Sequence, residues 1–410
     1  MKTLILGLDG VPRKLVERLG ETGVMPRMAA VAREGSLTDL AASIPEISSV
    51  SWSSFMTGAN PGVHGIFGFT DLVPGSRKLR FPRFADLAVP TLWDRLGALG
   101  RRSVVINQPA TYPARPIPGA IVSGFVALDL DRAVHPARHV RKLRELGYTL
   151  DVDMRRGRTD AEALFCDLHA SLAAGEQAVC YFRDAEPWDV FEFVVTGTDR
   201  LQHVLWDAVE EPDHLYHERV LGYYHAVDST VGRIVDEFRD AEPSGAFFIL
   251  SDHGFTRCRH EVRINAWLEE KGYLSTRDAD RSSLECLAET TRAFALDPGR
   301  IYLVGADRDA HAEEIASELR RVTLDGKPVF RAVHRREDIY SGPETHRAPD
   351  LVVQGLDGFD LKGTLKGGGV FGPPVFTGMH NPDAFLLTNR PVGRRLEIES
   401  LAHMIEGPYE

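Results

Sequence analysis

Carboxylate and imidazole side chains stand at the ends of apolar runs in four places along this sequence of 410 residues. Asp9 and Gly10 follow the run Leu4–Leu8, where the pair reads equally as a turn or as a ligand-bearing strand end. Asp199 and His203 follow the run ending at Val195 and are four residues apart, so they share one helix face. That spacing lets both bind one ion, and it also suits Asp199 as a plain helix cap. Asp252 and His253 end the strongly apolar run Phe247–Leu250, where burying two polar groups is costly unless they are paired or metal-bound. His380 lies in a loop just before Phe385–Leu387; taken alone, such a residue is a solvated histidine.

A candidate nucleophile lies in the serine-rich stretch Ile44–Gly58. A serine hydroxyl needs a base or a metal to become a nucleophile. No G-x-S-x-G elbow is present, so a metal is the better account of its activation.

The elements that must position these groups alternate. Short apolar runs at Leu4–Leu8, Val104–Ile106, Phe191–Val195, Phe247–Leu250, Leu351–Val353 and Phe385–Leu387 read as buried strands. Helical patterns at Arg13–Leu19, Thr91–Leu99, Tyr216–Phe238 and Ala310–Val322 lie between them. This predicts an α/β fold, a mainly parallel central sheet with helices on both faces and cap-like insertions. In such sheets, sites form outside the carboxyl ends of the strands. Residues 1–107, 190–256 and 345–410 are expected to form the metal-binding core. Residues 108–189, which open with Pro109, Pro113, Pro116 and Pro118, are expected as an insertion or cap, and 257–344 as a second insertion or subdomain. The match to G-x-G-x-x-G at Gly367–Gly372 runs into Pro373 and Pro374 instead of opening a helix, which removes the dinucleotide reading.

Composition narrows the partners. The net charge of −11 argues against a nucleic-acid polymer and against docking on an anionic membrane. It leaves a phosphate substrate open, because bound metal reverses the local sign. No apolar stretch reaches the length of about 18 residues that a membrane span needs. The four cysteines, Cys166, Cys180, Cys258 and Cys286, form no close pair, and the start of the chain lacks a signal-peptide pattern. A cytoplasmic location is the expectation.

Taken in order, these segments resemble the alkaline phosphatase superfamily, and within it the type I phosphodiesterase/nucleotide pyrophosphatase branch. The resemblance covers roughly residues 1–75, 190–260 and 345–390. It implies two divalent metal ions, zinc with manganese as the alternative, in keeping with a mixed imidazole and carboxylate donor set. It implies Asp199, His203 and His380 as ligands of one ion, and Asp9, Asp252 and His253, with the nucleophile, as ligands of the other. In the family the nucleophile stands nine residues before the Thr of a Thr-Gly pair; counted back from Thr57, that is Ser48, with Ser49 as the fallback. Thr57–Ile66 matches the segment that follows, with His64 structural. The implied reaction is an in-line displacement by a metal-activated Ser48 through a phosphoserine intermediate.

Two departures shape the expectation. Some nucleotide pyrophosphatases hold a phosphoryl oxygen with an asparagine at a position that here falls near Phe69, so Asn107, Arg200 and Arg257 are candidate substrate-binding donors. The residues around Ser48 lack a formylglycine-sulfatase pattern, and mutase motifs are missing. The reading is therefore a two-metal phosphodiesterase acting on a small-molecule phosphoester, in an oligomeric state that the sequence does not give. Alternatives are a phosphomonoesterase, phosphonate or sulfate ester hydrolase on the same metals, a non-catalytic metal-binding protein, or a metal-free serine hydrolase.

Overall fold

A computed structural model describes residues 1–277, 280–393 and 395–409. Its largest sheet has nine strands: β1 (Thr3–Leu8), β2 (Ser36–Ala41), β3 (Ser103–Gln108), β4 (Gly119–Ser123), β5 (Val134–His135), β6 (Val190–Val195), β7 (Ala246–Leu250), β8 (Asp383–Thr388) and β9 (Arg395–Glu397). Their order across the sheet is β9-β2-β8-β7-β1-β6-β3-β4-β5. The central strands β7, β1, β6, β3 and β4 are parallel to one another. β8 runs against both β7 and β2, and β5 runs against β4. The sheet is mainly parallel, as expected.

The central strands are mainly apolar because both faces of the sheet are covered, with polar exceptions such as Glu192 on β6. In β1, Leu4, Leu6 and Leu8 join one core, against the helices Arg13–Glu21, Pro26–Glu34, Ala161–Ala185 and His217–Ala241. Ile5 faces the other core, with Trp52, Phe55, Trp93 and Leu401. This alternation follows from the two-residue period of a strand.

Residues 108–189, set apart in the sequence as an insertion, supply β4 to the large sheet and the 25-residue helix Ala161–Ala185 to the first core. Within 257–344 and just beyond it, Ala293–Leu296, Arg300–Leu303, Leu351–Gly355 and Phe330–Arg335 make a separate four-stranded sheet with its own core. The apolar run at Leu351 thus pairs in the smaller sheet, because strand apolarity says that a run is buried but not beside which strand. β2 and β4 escaped the sequence reading: Ser36–Ala41 mixes Thr and Asp among its leucines, and Gly119–Ser123 sits behind the prolines.

Candidate metal centre

The carboxyl ends of β1, β6 and β7 lie side by side. Leu8 is level with Val195, and Gly7 with Leu250. The residues that follow, Asp9, Asp199, Asp252 and His253, therefore leave the sheet at one edge. β8 runs the opposite way, so the residues before it reach that same edge. His380 arrives by this route. It is not in a loop but on a short strand, Gly378–Asn381, paired antiparallel with Gly254–Arg257, with His380 opposite Phe255.

β2 also ends at this edge and leads to Ser48, the first residue of the helix Ser48–Thr57, which is buried along its whole length. Most of the polar side chains of this buried helix find partners in one another or in the backbone. Ser53 Oγ donates to the Ser49 carbonyl and Thr57 Oγ1 to the Ser53 carbonyl, both at 2.6 Å. Ser43 Oγ donates to Ser54 Oγ at 2.8 Å. Gly58 closes the helix at φ 66°, a conformation that other residues adopt at a cost. His64 is buried, its Nδ1 accepts from the Ile66 amide at 3.1 Å, and its Nε2 faces Ser54 Oγ at 3.0 Å. That is a structural role.

All six expected ligands converge. Ligand atoms of Asp9, Asp252 and His253 lie within 4.8 Å of one another, and so do those of Asp199, His253 and His380. His203 Nε2 joins the second group, 3.1 Å from His380 Nε2 and 3.5 Å from Asp199 Oδ1. Ser48 Oγ lies among them, 3.2 Å from Asp9 Oδ1 and 3.1 Å from His253 Nε2. Asp199 is inside the first turn of the helix Gly197–Glu210 rather than at its cap, which falls on Thr196. Ser49 Oγ has no hydrogen-bond partner and Ser49 borders a separate small cavity with Gly68 and Phe125.

Neighbouring groups orient several of the candidate ligands. His253 Nδ1 donates to the Gly254 carbonyl at 3.1 Å, and His380 Nδ1 to the Glu46 carbonyl at 2.9 Å. Each bond puts the proton on Nδ1 and turns the Nε2 lone pair toward the cluster. Trp52 Nε1 donates to Asp9 Oδ2 at 3.1 Å. The Gly10 amide donates to Asp252 Oδ1 at 3.1 Å; this turn has φ 71°, with the Phe255 ring where a side chain would go. Nothing in the sequence spacing of Trp52 signals the bond to Asp9.

These residues fit metal ions. His203 Nε2 and the His380 Nε2 lone pair face each other at 3.1 Å beside a carboxylate, an approach that needs a proton or a cation between them. Asp252 Oδ2 is buried without a hydrogen-bond partner. Burial, then the charges of Asp252 and Asp199, raises Asp9 well above the ordinary carboxylate range. Burial also pushes Asp252 up to about 7 and His203 down to about 4. Burial alone would raise Asp199 too, but His203, His380 and Arg200 hold it well below the ordinary range. A buried set of like charges of this kind is stabilised by cations.

The three candidate substrate donors are engaged elsewhere. Asn107 Nδ2 donates to the Val194 carbonyl at 2.8 Å and to Thr196 Oγ1 at 3.2 Å. Arg257 pairs with Glu210 and Glu211. Arg200 is held by Asp199 and Asp151. Their donors were legible in the sequence, but their partners were not.

Beside His203 and His380 opens a cavity of about 430 Å³, bordered by Phe69, Leu79, Val353, Phe359, Met379 and Lys362 among others. Much of this wall comes from the smaller sheet and its neighbours.

Solved structures share this architecture across the chain. Phosphonoacetate hydrolase from Sinorhizobium meliloti, in complex with phosphonoacetate, superposes with a TM-score of 0.64 at 16% identity, over 100% of this chain and 96% of that one. Murine ectonucleotide pyrophosphatase/phosphodiesterase 5 gives 0.59 at 13%, over 100% and 95%. The alkaline phosphatase PafA gives 0.62 at 13%, over 99% and 95%. The fold is thus that of the alkaline phosphatase superfamily. Within it, the chain belongs to the type I phosphodiesterase/nucleotide pyrophosphatase family, whose sequence profile matches residues 3–383. It is an enzyme that hydrolyses phosphoric esters. No curated protein matches the chain by sequence.

Proposed function

We propose that the protein is a two-metal phosphodiesterase with Ser48 as nucleophile. The observation that carries this reading is the position of Ser48 Oγ, 3.2 Å from Asp9 and 3.1 Å from His253, where the two ligand groups meet. Asp199, His203 and His380 would hold one ion, and Asp9, Asp252, His253 and Ser48 the other. Zinc, with manganese as the alternative, would lower the serine pKa and neutralise the phosphoryl oxygens at this donor set.

Ser48 Oγ gives up its proton and attacks phosphorus in line with the leaving oxygen. The P–O bond to the leaving group breaks, the leaving oxygen departs as an alcohol carrying a proton, and Ser48 is left esterified to the phosphoryl group, which keeps its second substituent. Water then attacks phosphorus from the opposite side, the P–Oγ bond breaks, Ser48 regains its proton and the phosphomonoester is released. Ser48 is buried, which limits competition from water in the first step. The 430 Å³ cavity favours a diester over a monoester, because it has room and apolar wall for a second substituent. The four free cysteines support a reducing, cytoplasmic setting. Among the described residues, no helix is long and apolar enough to cross a membrane.

The test is turnover of a nitrophenyl phosphodiester against the matching monoester and sulfate by zinc-loaded protein. Faster diester hydrolysis, lost on chelation and in Ser48→Ala while that variant still binds metal, is the expected result. Full activity in Ser48→Ala would remove the assignment, and a monoester or sulfate preference would move the substrate class.

A further inference from the structure

Arg200 follows Asp199 directly, and its guanidinium is held from three sides. Its NH1 donates to Asp199 Oδ2 at 2.7 Å. Its Nε and NH2 fork onto Asp151, at 2.9 Å to Oδ1 and 3.0 Å to Oδ2. Its face lies 4.2 Å from the centre of the Phe125 ring. Asp151 is itself anchored, with Oδ1 also accepting from the Val152 amide at 2.9 Å. Asp151 and Phe125 both belong to the 108–189 segment, outside the stretches that carry the metal-binding residues.

The result is an asymmetric Asp199. Oδ2 is occupied by Arg200, while Oδ1 faces His380 Nε2 at 3.2 Å and His203 Nε2 at 3.5 Å. We infer that Arg200, locked by Asp151 and Phe125, is a positioning residue that presents Asp199 to the metal centre through one oxygen only, and that it does not bind substrate. This rests on the two-metal reading above.

The chemistry of the guanidinium explains why an arginine serves here. Its planar fork satisfies a bidentate carboxylate on one edge and keeps an N–H for a second carboxylate. A lysine at the same place has one ammonium and cannot hold both geometries. The guanidinium also places a positive charge beside the carboxylates gathered at the strand ends. Losing an outer partner of a metal ligand typically weakens metal affinity about 10–100-fold.

The experiment is competitive zinc titration of chelator-stripped full-length protein, resolving the two affinities, for wild type, Asp151→Asn and Arg200→Lys. The expected result is two ions in wild type, with one affinity lowered about 10–100-fold in both variants and the other unchanged. In a His203→Ala background, where the Asp199 half is already impaired, Asp151→Asn should leave the remaining affinity unchanged. Two ions in wild type with unaltered affinities in both variants would overturn the positioning role and spare the metal reading. Equal weakening of both sites, or a lowered Tm with neither affinity changed, would reduce Arg200 to a structural ion pair. Fewer than two ions in wild type would overturn the metal reading, and the positioning role with it. Should Asp151→Asn fail to fold, Arg200→Lys carries the same comparison.

Discussion

The amide of Thr377 donates to the carbonyl of His203 at 3.0 Å, at the point where the helix carrying His203 loses its regular geometry. Leu205, two residues on, has φ −131° and ψ 35°. Thr377 Oγ1 accepts from the Trp206 amide at 2.8 Å, replacing a bond that the break removes. One residue thus stitches the interrupted helix to the segment that brings in His380. Thr377→Val keeps the shape and removes the acceptor, leaving the Trp206 amide unpaired. The expected cost is about 1–3 kcal/mol in denaturant unfolding, with Thr377→Ser close to wild type. Equal stability of Thr377→Val and wild type would show that the break is held by other contacts.

Trp52 orients Asp9 through a single hydrogen bond while filling the core. Trp52→Phe removes the donor and most of one ring. Zinc affinity at the Asp9 half is expected to fall about tenfold, and stability by about 1–3 kcal/mol. Titration with zinc separates the two effects: unchanged affinity with lowered stability would make Trp52 a core residue only.

Removing metal should destabilise the protein. A ligand that binds only the folded state adds about 2.7 kcal/mol at a free concentration one hundred times its Kd. Chelation should therefore lower Tm, and zinc added back should restore it in a concentration-dependent way. A Tm indifferent to both would argue against ligation by the six residues.

Glu192 lies on β6, away from the metal centre, facing the Trp93 core. Trp93 Nε1 donates to Oε2 at 3.2 Å, and Oε1 has no partner. Burial pushes its carboxyl up to about 8 from an ordinary value near 4.5, against the smaller opposing effect of the Trp93 bond. The folded state keeps this proton through a range in which the unfolded chain releases it. The associated stability is full below about 4.5 and is lost as pH rises toward about 8, at up to about 1.4 kcal/mol per pH unit. Glu192→Gln should flatten that slope. Unfolding free energies at pH 5 to 8 check this, and parallel slopes in variant and wild type would refute it.

Much of the candidate centre was legible because its expected ligands stand where apolar strands stop. Asp9, Asp199, Asp252 and His253 each follow a run whose burial is written in Val, Leu, Ile and Phe, and parallel neighbours bring those ends to one edge. His380 was harder to place. It precedes its strand, and only the reversed direction of β8 carries it to the same edge. Strand β4 was hidden behind the prolines of a stretch that reads as separate.

By itself, then, the sequence determined which strands are buried and which side chains end them, since strand apolarity and residue type are local properties. Strand order, the reversed course of β8 and the long-range hydrogen-bond partners were decided by the tertiary structure. Trp52 on Asp9, Thr377 on His203 and Asp151 on Arg200 join residues 43, 174 and 49 positions apart. A hydrogen bond depends on two groups meeting in space, and no residue's type or spacing records where the folded sheet will carry its partner.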